Sequence, residues 1–233
     1  MSRGSTAGSP RSTRLLHWPA PTSTGVRASG VMSLLSDGQP TIKRIDILLV
    51  CTANQCRSPM AEGLLRRLLA RAGVGAQVGS AGLLPGGAPA TADAVATMAA
   101  RGVDISEHVS RTLDHEMVGT TELVLGMTRQ HVREACVVYD APLERTFTLK
   151  EFVRRGEQAG GREAGEPMAA WLGRVGAGRR PRDLVADDPA DDIADPVGRP
   201  RAEYEDTADE LDDLLERFVG LLTGVSTTTD LRS

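Results

Sequence analysis

Ile45-Asp46-Ile47-Leu48-Leu49-Val50-Cys51 runs straight into Thr52-Ala53-Asn54-Gln55-Cys56-Arg57-Ser58-Pro59 and then Met60-Ala61-Glu62-Gly63-Leu64-Leu65-Arg66-Arg67-Leu68-Leu69. The first stretch is short, apolar and rich in β-branched residues, the pattern of a buried parallel strand over 45–50. The last repeats apolar residues at 60, 61, 64, 65, 68 and 69, a helical period. Pro59 suits the first helical turn and Gly73 the stop. A strand, a loop and a helix in such close succession open an α/β sheet.

The alternation continues downstream. Gln77 to Ser80 reads as a weak strand, Thr91 to Arg101 as a helix ended by Gly102, and Leu123 to Leu125 as a strand. Thr128 can cap a helix to about Ala135, Thr146 to Thr148 is a fourth strand, and a helix follows over Leu149 to Arg154. A last helix over Ala202 to Leu222 carries Leu211, Leu214, Leu215, Phe218 and Leu222 on one face. These elements predict an α/β fold: three layers, α/β/α, around a four-stranded parallel sheet.

Two stretches do not fit the alternation. Met1 to Val31 has four Arg and no Asp or Glu among many Ser, Thr, Gly and Pro, and its apolar runs are too short for a signal-peptide core. Residues 1–40 are expected to be a disordered extension, 41–225 the folded domain and 226–233 a disordered tail. Met32 is a second possible start. From Arg154 to Arg182 there are seven Arg against three Glu, and from Asp183 to Glu216 fourteen acids against two Arg. Such charge runs read as solvated faces, so 156–186 is expected to be an Arg/Gly-rich insertion with one short helix around Met168 to Val175.

Composition narrows the function. The 233 residues are 40% hydrophobic but only 3% aromatic, which calls for an aliphatic core and leaves few rings for a ligand wall. Lys+Arg is 27 against Asp+Glu 31, for a net charge of -4, which argues against a nucleic-acid partner. No apolar run reaches membrane-span length. Three cysteines, Cys51, Cys56 and Cys136, are too few for a disulfide framework and point to a reducing, cytoplasmic setting. Neither they nor the four histidines show metal-ligand spacing, so neither a metal nor another cofactor is expected.

The loop 51–59 lies where a strand ends and a helix begins, the place where open α/β sheets bind ligands. The helix start offers unpaired N–H groups and the positive end of its dipole, and a loop curled there makes an anion nest. Cys51 stands at the strand end and Arg57 six positions later. Helix N-termini and nearby cations favour the thiolate, the reactive form of cysteine. A guanidinium grips two phosphate oxygens at once and keeps its proton. Together they describe a phosphate-sized pocket with a nucleophile at its floor, lined by Thr52, Ala53, Asn54, Gln55, Cys56, Arg57 and Ser58. Ser58 can donate its hydroxyl to the sulfur, and Asn54 tolerates the backbone angles needed to brace the loop.

This segment resembles the signature of the low-molecular-weight protein-tyrosine-phosphatase family, a Cys-x5-Arg-Ser loop with an inner Asn-x-Cys. The resemblance continues through Gly79-Ser80-Ala81-Gly82, the stretch near His108, Ser110 and Arg111, Leu125-Gly126-Met127-Thr128, and Asp195-Pro196 with Tyr204 downstream. It implies a flavodoxin-like phosphatase fold and a cysteine-dependent phosphomonoesterase working through a phosphocysteine. Its substrate would be a phosphorylated protein or a small phosphomonoester, and its general acid the aspartate of the Asp-Pro pair. Asp195 fills that role better than Asp188, which also precedes a proline, because Ile193 and the Tyr204 helix flank it as in the family. The resemblance also gives Cys56 a possible protective disulfide with Cys51, plain packing being the alternative. Cys136 is expected in the core.

Four departures bear on substrate. Ala53 stands where glycine is common, which restricts the backbone. Val197 follows Asp195-Pro196, where tyrosine-specific relatives carry a ring, and Leu83 to Gly87 has none either. Trp171 is the ring considered as a substitute. Gln55 matches neither the aliphatic residue of tyrosine-specific members nor the threonine of arginine-specific ones, so phosphotyrosine, phosphoarginine and small phosphoesters stay open. An arsenate reductase would need a recycling cysteine pair, and only Cys136 lies outside the loop. A catalytically weak phosphate-binding module is the reading from another class, with Ala53 and the missing rings as its signs. A phosphoryl carrier is a third, against which Arg57 counts.

Overall fold

The computed structural model describes residues 45–185 and 188–224. The expectations for the 1–40 extension and the 226–233 tail fall outside these residues. The chain forms β1 (Ile45–Cys51), α1 (Arg57–Arg71), β2 (Ala76–Gly82), α2 (Ala92–Ala100), α3 (His115–Thr120) and β3 (Leu123–Gly126). It continues with α4 (Arg129–Val138), β4 (Thr146–Thr148), α5 (Leu149–Ala159), α6 (Met168–Val175) and α7 (Arg201–Thr223). The expected parallel four-stranded sheet is present, ordered β2-β1-β3-β4. The boundaries follow local chemistry: Thr91, Thr128 and Thr148 cap α2, α4 and α5 through their hydroxyls. Only α3 was not anticipated, because six residues with Gly119 among them carry no periodic apolar face.

Residue alternation along β1 divides the interior in two. Ile45, Ile47, Leu49 and Cys51 face the larger cluster, with side chains of α1, α2, α5, α6 and α7. Leu48 and Val50 face a smaller one with Leu113, Val118, Val124 and Ala135. Cys136, expected in the core, is half-buried against this smaller cluster. From β1 the chain moves to β2 on one side and then to β3 on the other. The carboxyl end of β1 is thus the sheet's switch point, where a crevice opens. Cys51 is the last residue of β1 and pairs with Gly82 of β2.

Within 156–186 the expected short helix over Met168 to Val175 is present as α6 and most of the described residues are exposed, but the stretch also feeds side chains into the core. α5 runs on through Gly156 to Ala159, and α6 buries Met168, Trp171, Leu172 and Val175, a stripe at helical spacing. Trp171 is 0% exposed, stands edge-on to Phe152 at 5.3 Å, and donates its indole N–H to the Gly160 carbonyl. It is therefore core and walls no ligand. Some of the arginines that suggested a solvated face are spent internally. Arg179 holds Glu151 at 2.8 Å and lies 4.0 Å from the centre of the Phe147 ring, while Arg174 binds Glu166 at 2.8 Å. Charge counts miss this because a guanidinium paired with carboxylates and carbonyls can be buried. Among the described residues, no helix is long and apolar enough to cross a membrane.

Candidate active site

The loop after β1 turns back over its own first residue. Asn54 is the one residue of the loop at positive φ, 54°, a conformation its short polar side chain tolerates. This brings its backbone N–H to 3.3 Å from Cys51 Sγ. Ala53 keeps an ordinary φ, so the restriction expected from the missing glycine is never tested by the fold. The close approach occurs instead at Gly82, where an added Cβ would lie 2.8 Å from the Ala53 carbonyl carbon and the Asn54 nitrogen. Ser58, in the first turn of α1, places Oγ 3.0 Å from the sulfur, as the sequence led one to expect. Cys51, Asn54, Cys56, Arg57 and Ser58 are buried, and Thr52, Ala53 and Gln55 are partly open.

Every polar atom of Asn54 has a partner. Its amide nitrogen donates to Ser58 Oγ at 2.9 Å and Ser80 Oγ at 2.8 Å, and its Oδ1 accepts from the Arg111 backbone at 2.8 Å. His108 Nε2 donates to the Asn54 carbonyl at 2.8 Å. Ser80 in turn donates to the buried Glu62, which pairs with Arg66 at 2.6 Å. Such a network holds a strained loop in one shape, since each broken bond would leave a buried polar group unpaired. The sequence marked Ser80, His108 and Arg111 only as part of a resemblance. Their use as braces depends on β2 and the 108–111 stretch lying beside the loop.

Arg57 is nearly buried, its side chain 5% exposed. Nη1 donates to the Ile193 carbonyl at 3.0 Å, and Nη2 donates both to Thr52 Oγ1 at 3.2 Å and to Asp195 Oδ2 at 2.5 Å. The structure thus brings Asp195 to the loop from 138 residues away. Its side chain is 43% exposed, and Oδ1 accepts from the Val197 N–H. The rival Asp188 goes elsewhere, onto Arg129 at 3.3 Å.

The segment leading to Asp195 is pinned. Asp191, 2% exposed, binds Arg129 at 2.8 Å and Arg154 at 3.0 Å. Asp192 accepts from the Arg129 backbone N–H and its carbonyl from Lys150, while the Ile193 N–H donates to Met127 at the end of β3. Burial opposes the Asp191 charge, but its two arginines outweigh that and hold the carboxyl below the usual carboxylate range. A carboxyl whose folded pKa lies below its unfolded value of about 3.9 stabilises the fold above that value and loses the contribution as pH falls through the folded pKa. Asp191→Asn is therefore expected to cost about 1–3 kcal/mol at pH 7, and the deficit in melting temperature should shrink below about pH 4. A deficit unchanged from pH 7 to pH 3 would remove the ion pairs as its source.

Cys56 in the loop and His131 beside it titrate far from their ordinary values. Burial, helped by the Asp195 and Cys51 charges, pushes the Cys56 thiol up to about 12, so it stays protonated beside Met60 Sδ at 3.8 Å. Both loop cysteines are free thiols in the structure. Burial and the Arg57 charge push His131 down to about 3, so its ring is neutral. His131 Nε2 lies 3.0 Å from Thr52 Oγ1. The sequence alone gives this residue no role. Its available signal was Thr128 three positions earlier, the spacing of a capping box, which the fold forms. Among the described residues, no three His, Cys, Asp or Glu side chains gather into a metal-holding group.

A sulfur that receives the Asn54 N–H, a buried guanidinium and an exposed carboxylate on the same guanidinium are parts of in-line transfer from a tetrahedral oxyanion to a thiolate. Comparisons with known proteins point the same way. Residues 46–168 match the family described as low molecular weight phosphotyrosine protein phosphatase. A protein-arginine-phosphatase of Bacillus subtilis is 33% identical over 75% of this chain and 94% of its own. A probable low molecular weight protein-tyrosine-phosphatase, EpsP of Ralstonia solanacearum, is 41% identical over 45% of this chain and 70% of its own. The crystal structure of a low molecular weight protein tyrosine phosphatase from T. tengcongensis is 32% identical and superposes with a TM-score of 0.59, covering 76% of this chain and 99% of that one.

Proposed function

Because the chain belongs to the low molecular weight phosphotyrosine protein phosphatase family, we propose that it removes phosphoryl groups from protein side chains through a phosphocysteine at Cys51. The observation that carries this reading is the convergence on one loop of Cys51 Sγ, the Arg57 guanidinium and Asp195. In the first step the thiolate attacks phosphorus in line. The S–P bond forms as the bond to the leaving atom breaks, and Asp195 gives that atom its proton. To do so, Asp195 yields the Arg57 guanidinium to the phosphoryl oxygens and turns to the leaving side. In the second step water attacks phosphorus, its proton goes to Asp195, and the S–P bond breaks to release phosphate and the thiolate. Loop N–H groups and Arg57 carry the charge of the transferring group throughout.

The lip of the site favours phosphoarginine over phosphotyrosine. The exposed side chains beside Thr52 and Asp195 are aliphatic, Leu84 at 50% and Val197 at 54%. Phe147, Phe152, Trp171 and Phe218 are joined in the core, Tyr204 is buried, and Tyr139 packs on His115. No described Phe, Tyr or Trp is therefore left to stack on a phenol ring, a contact worth about 0.5–1.5 kcal/mol. The Bacillus subtilis relative, matched over 94% of its length, is named for arginine, whereas the T. tengcongensis structure, covered over 99%, is named for tyrosine. Peptides of one sequence bearing either phosphoarginine or phosphotyrosine decide the matter. A kcat/KM about two- to tenfold higher for phosphoarginine is expected, the size of one lost ring contact. The opposite preference would overturn the substrate assignment, and no hydrolysis of either would overturn the enzyme reading in favour of a binding module.

A further inference from the structure

We propose that Thr52 binds the phosphoryl group through its side-chain hydroxyl as a hydrogen-bond donor, and that His131 is the positioning residue that aims this proton; the proposal rests on the phosphatase reading above. Hydrogen-bond polarity fixes where each proton lies. A backbone N–H can only donate, and that of Thr128 meets His131 Nδ1 at 3.0 Å. Nδ1 therefore presents its lone pair, and a neutral ring must carry its proton on Nε2. The low proton affinity of this buried ring agrees. Nε2 lies 3.0 Å from Thr52 Oγ1 and so donates to it. Arg57 Nη2, which also can only donate, reaches the same oxygen at 3.2 Å. A hydroxyl has two acceptor sites and one proton. Both acceptor sites of Thr52 are occupied, so its remaining capacity is to give the proton away.

The geometry also says where that proton is useful. Arg57 Nη2 is shared between Thr52 Oγ1 and Asp195 Oδ2, so the hydroxyl lies at the end of the guanidinium that faces the acid. Thr52 directly follows the nucleophile and is partly open, whereas His131 is 2% exposed and touches no substrate. The capping box of α4 locks the imidazole. Thr128 binds Nδ1 through backbone and hydroxyl, and its hydroxyl accepts from the His131 N–H. A side-chain donor is thus added beside the Asn54 N–H and Arg57 without adding a charge.

The test uses inorganic phosphate as the probe, followed by amide chemical-shift titration, so that it does not depend on turnover. Thr52→Val keeps the shape and removes the proton. It is expected to raise the dissociation constant of phosphate about tenfold, as for loss of one bond to a charged group, while Thr52→Ser stays within about twofold of wild type. His131→Phe should weaken binding about threefold alone and add almost nothing to Thr52→Val, because both act through one proton. Long-range 1H–15N spectra of the unaltered protein should show the His131 proton on Nε2, a readout that requires no variant to fold. Phosphate binding indifferent to Thr52→Val, full additivity of the two changes, or a proton on Nδ1 would each overturn the proposal. A protein that hydrolyses no phosphorylated substrate yet loses phosphate in Thr52→Val and regains it in Thr52→Ser would sink the phosphatase reading and support this one. An active enzyme indifferent to Thr52→Val would sink this one alone.

Discussion

Cys51→Ser is expected to lower turnover of an aryl phosphate by about 10⁴-fold or more while leaving the affinity for inorganic phosphate within about threefold. The two halves of this result come from different parts of the loop. Attack requires a strong nucleophile, which a thiolate is, and the Asn54 N–H at 3.3 Å and the Ser58 hydroxyl at 3.0 Å face the sulfur here. A serine hydroxyl in the same place has no adjacent base and ionises far too weakly. Affinity depends instead on Arg57, which is held by the Ile193 carbonyl and Thr52, and on the amides that the braced Asn54 keeps in place. None of these contacts passes through the sulfur. Steady-state kinetics and a phosphate titration on the same preparation measure both quantities. Substantial turnover in the variant would remove Cys51 from the reaction. Loss of phosphate binding together with turnover would show instead that the loop had lost its shape.

Asp195→Asn is expected to lower turnover by about 10²–10⁴-fold for a phosphoester with a poor leaving group, and far less for a nitrophenyl ester whose leaving group needs no proton. The dependence on leaving group separates an acid from a residue that merely holds the loop, since a misplaced loop would slow both substrates alike. Asp188→Asn should leave both rates within about threefold of wild type, because that carboxylate pairs with Arg129 and not with Arg57. If the two variants exchanged outcomes, the acid would be Asp188. The position of Asp195 relies on the residues before it. Asp191, Asp192 and Ile193 are tied to α4, α5 and the end of β3, and from that anchored segment the chain turns at a buried Pro196 between the exposed Asp195 and Val197.

The sequence announced the loop because its chemistry is packed into nine consecutive residues, Cys51 to Pro59, between an apolar strand and a periodic helix. It announced Ser58 and Asn54 for the same reason: partners four and seven positions apart are set by the loop's own path. Within 156–186 it announced the short helix over Met168 to Val175, but not that Met168, Trp171, Leu172 and Val175 would join the core, with Trp171 against Phe152. It passed over His131, whose hydrogen bond to Thr52 spans 79 positions.

The division has a physical cause. Strand, turn and helix preferences, and the reactivity of a thiol beside a guanidinium, are short-range properties that a run of residues carries wherever it is placed. The direction of the Thr52 proton, the bracing of Asn54 by Ser80 and Arg111, and the arrival of Asp195 rather than Asp188 at Arg57 arise from groups that meet only after the sheet has assembled. Their bonds are polar and short-ranged, so a shift of an ångström breaks them, and no local pattern encodes which distant partner arrives.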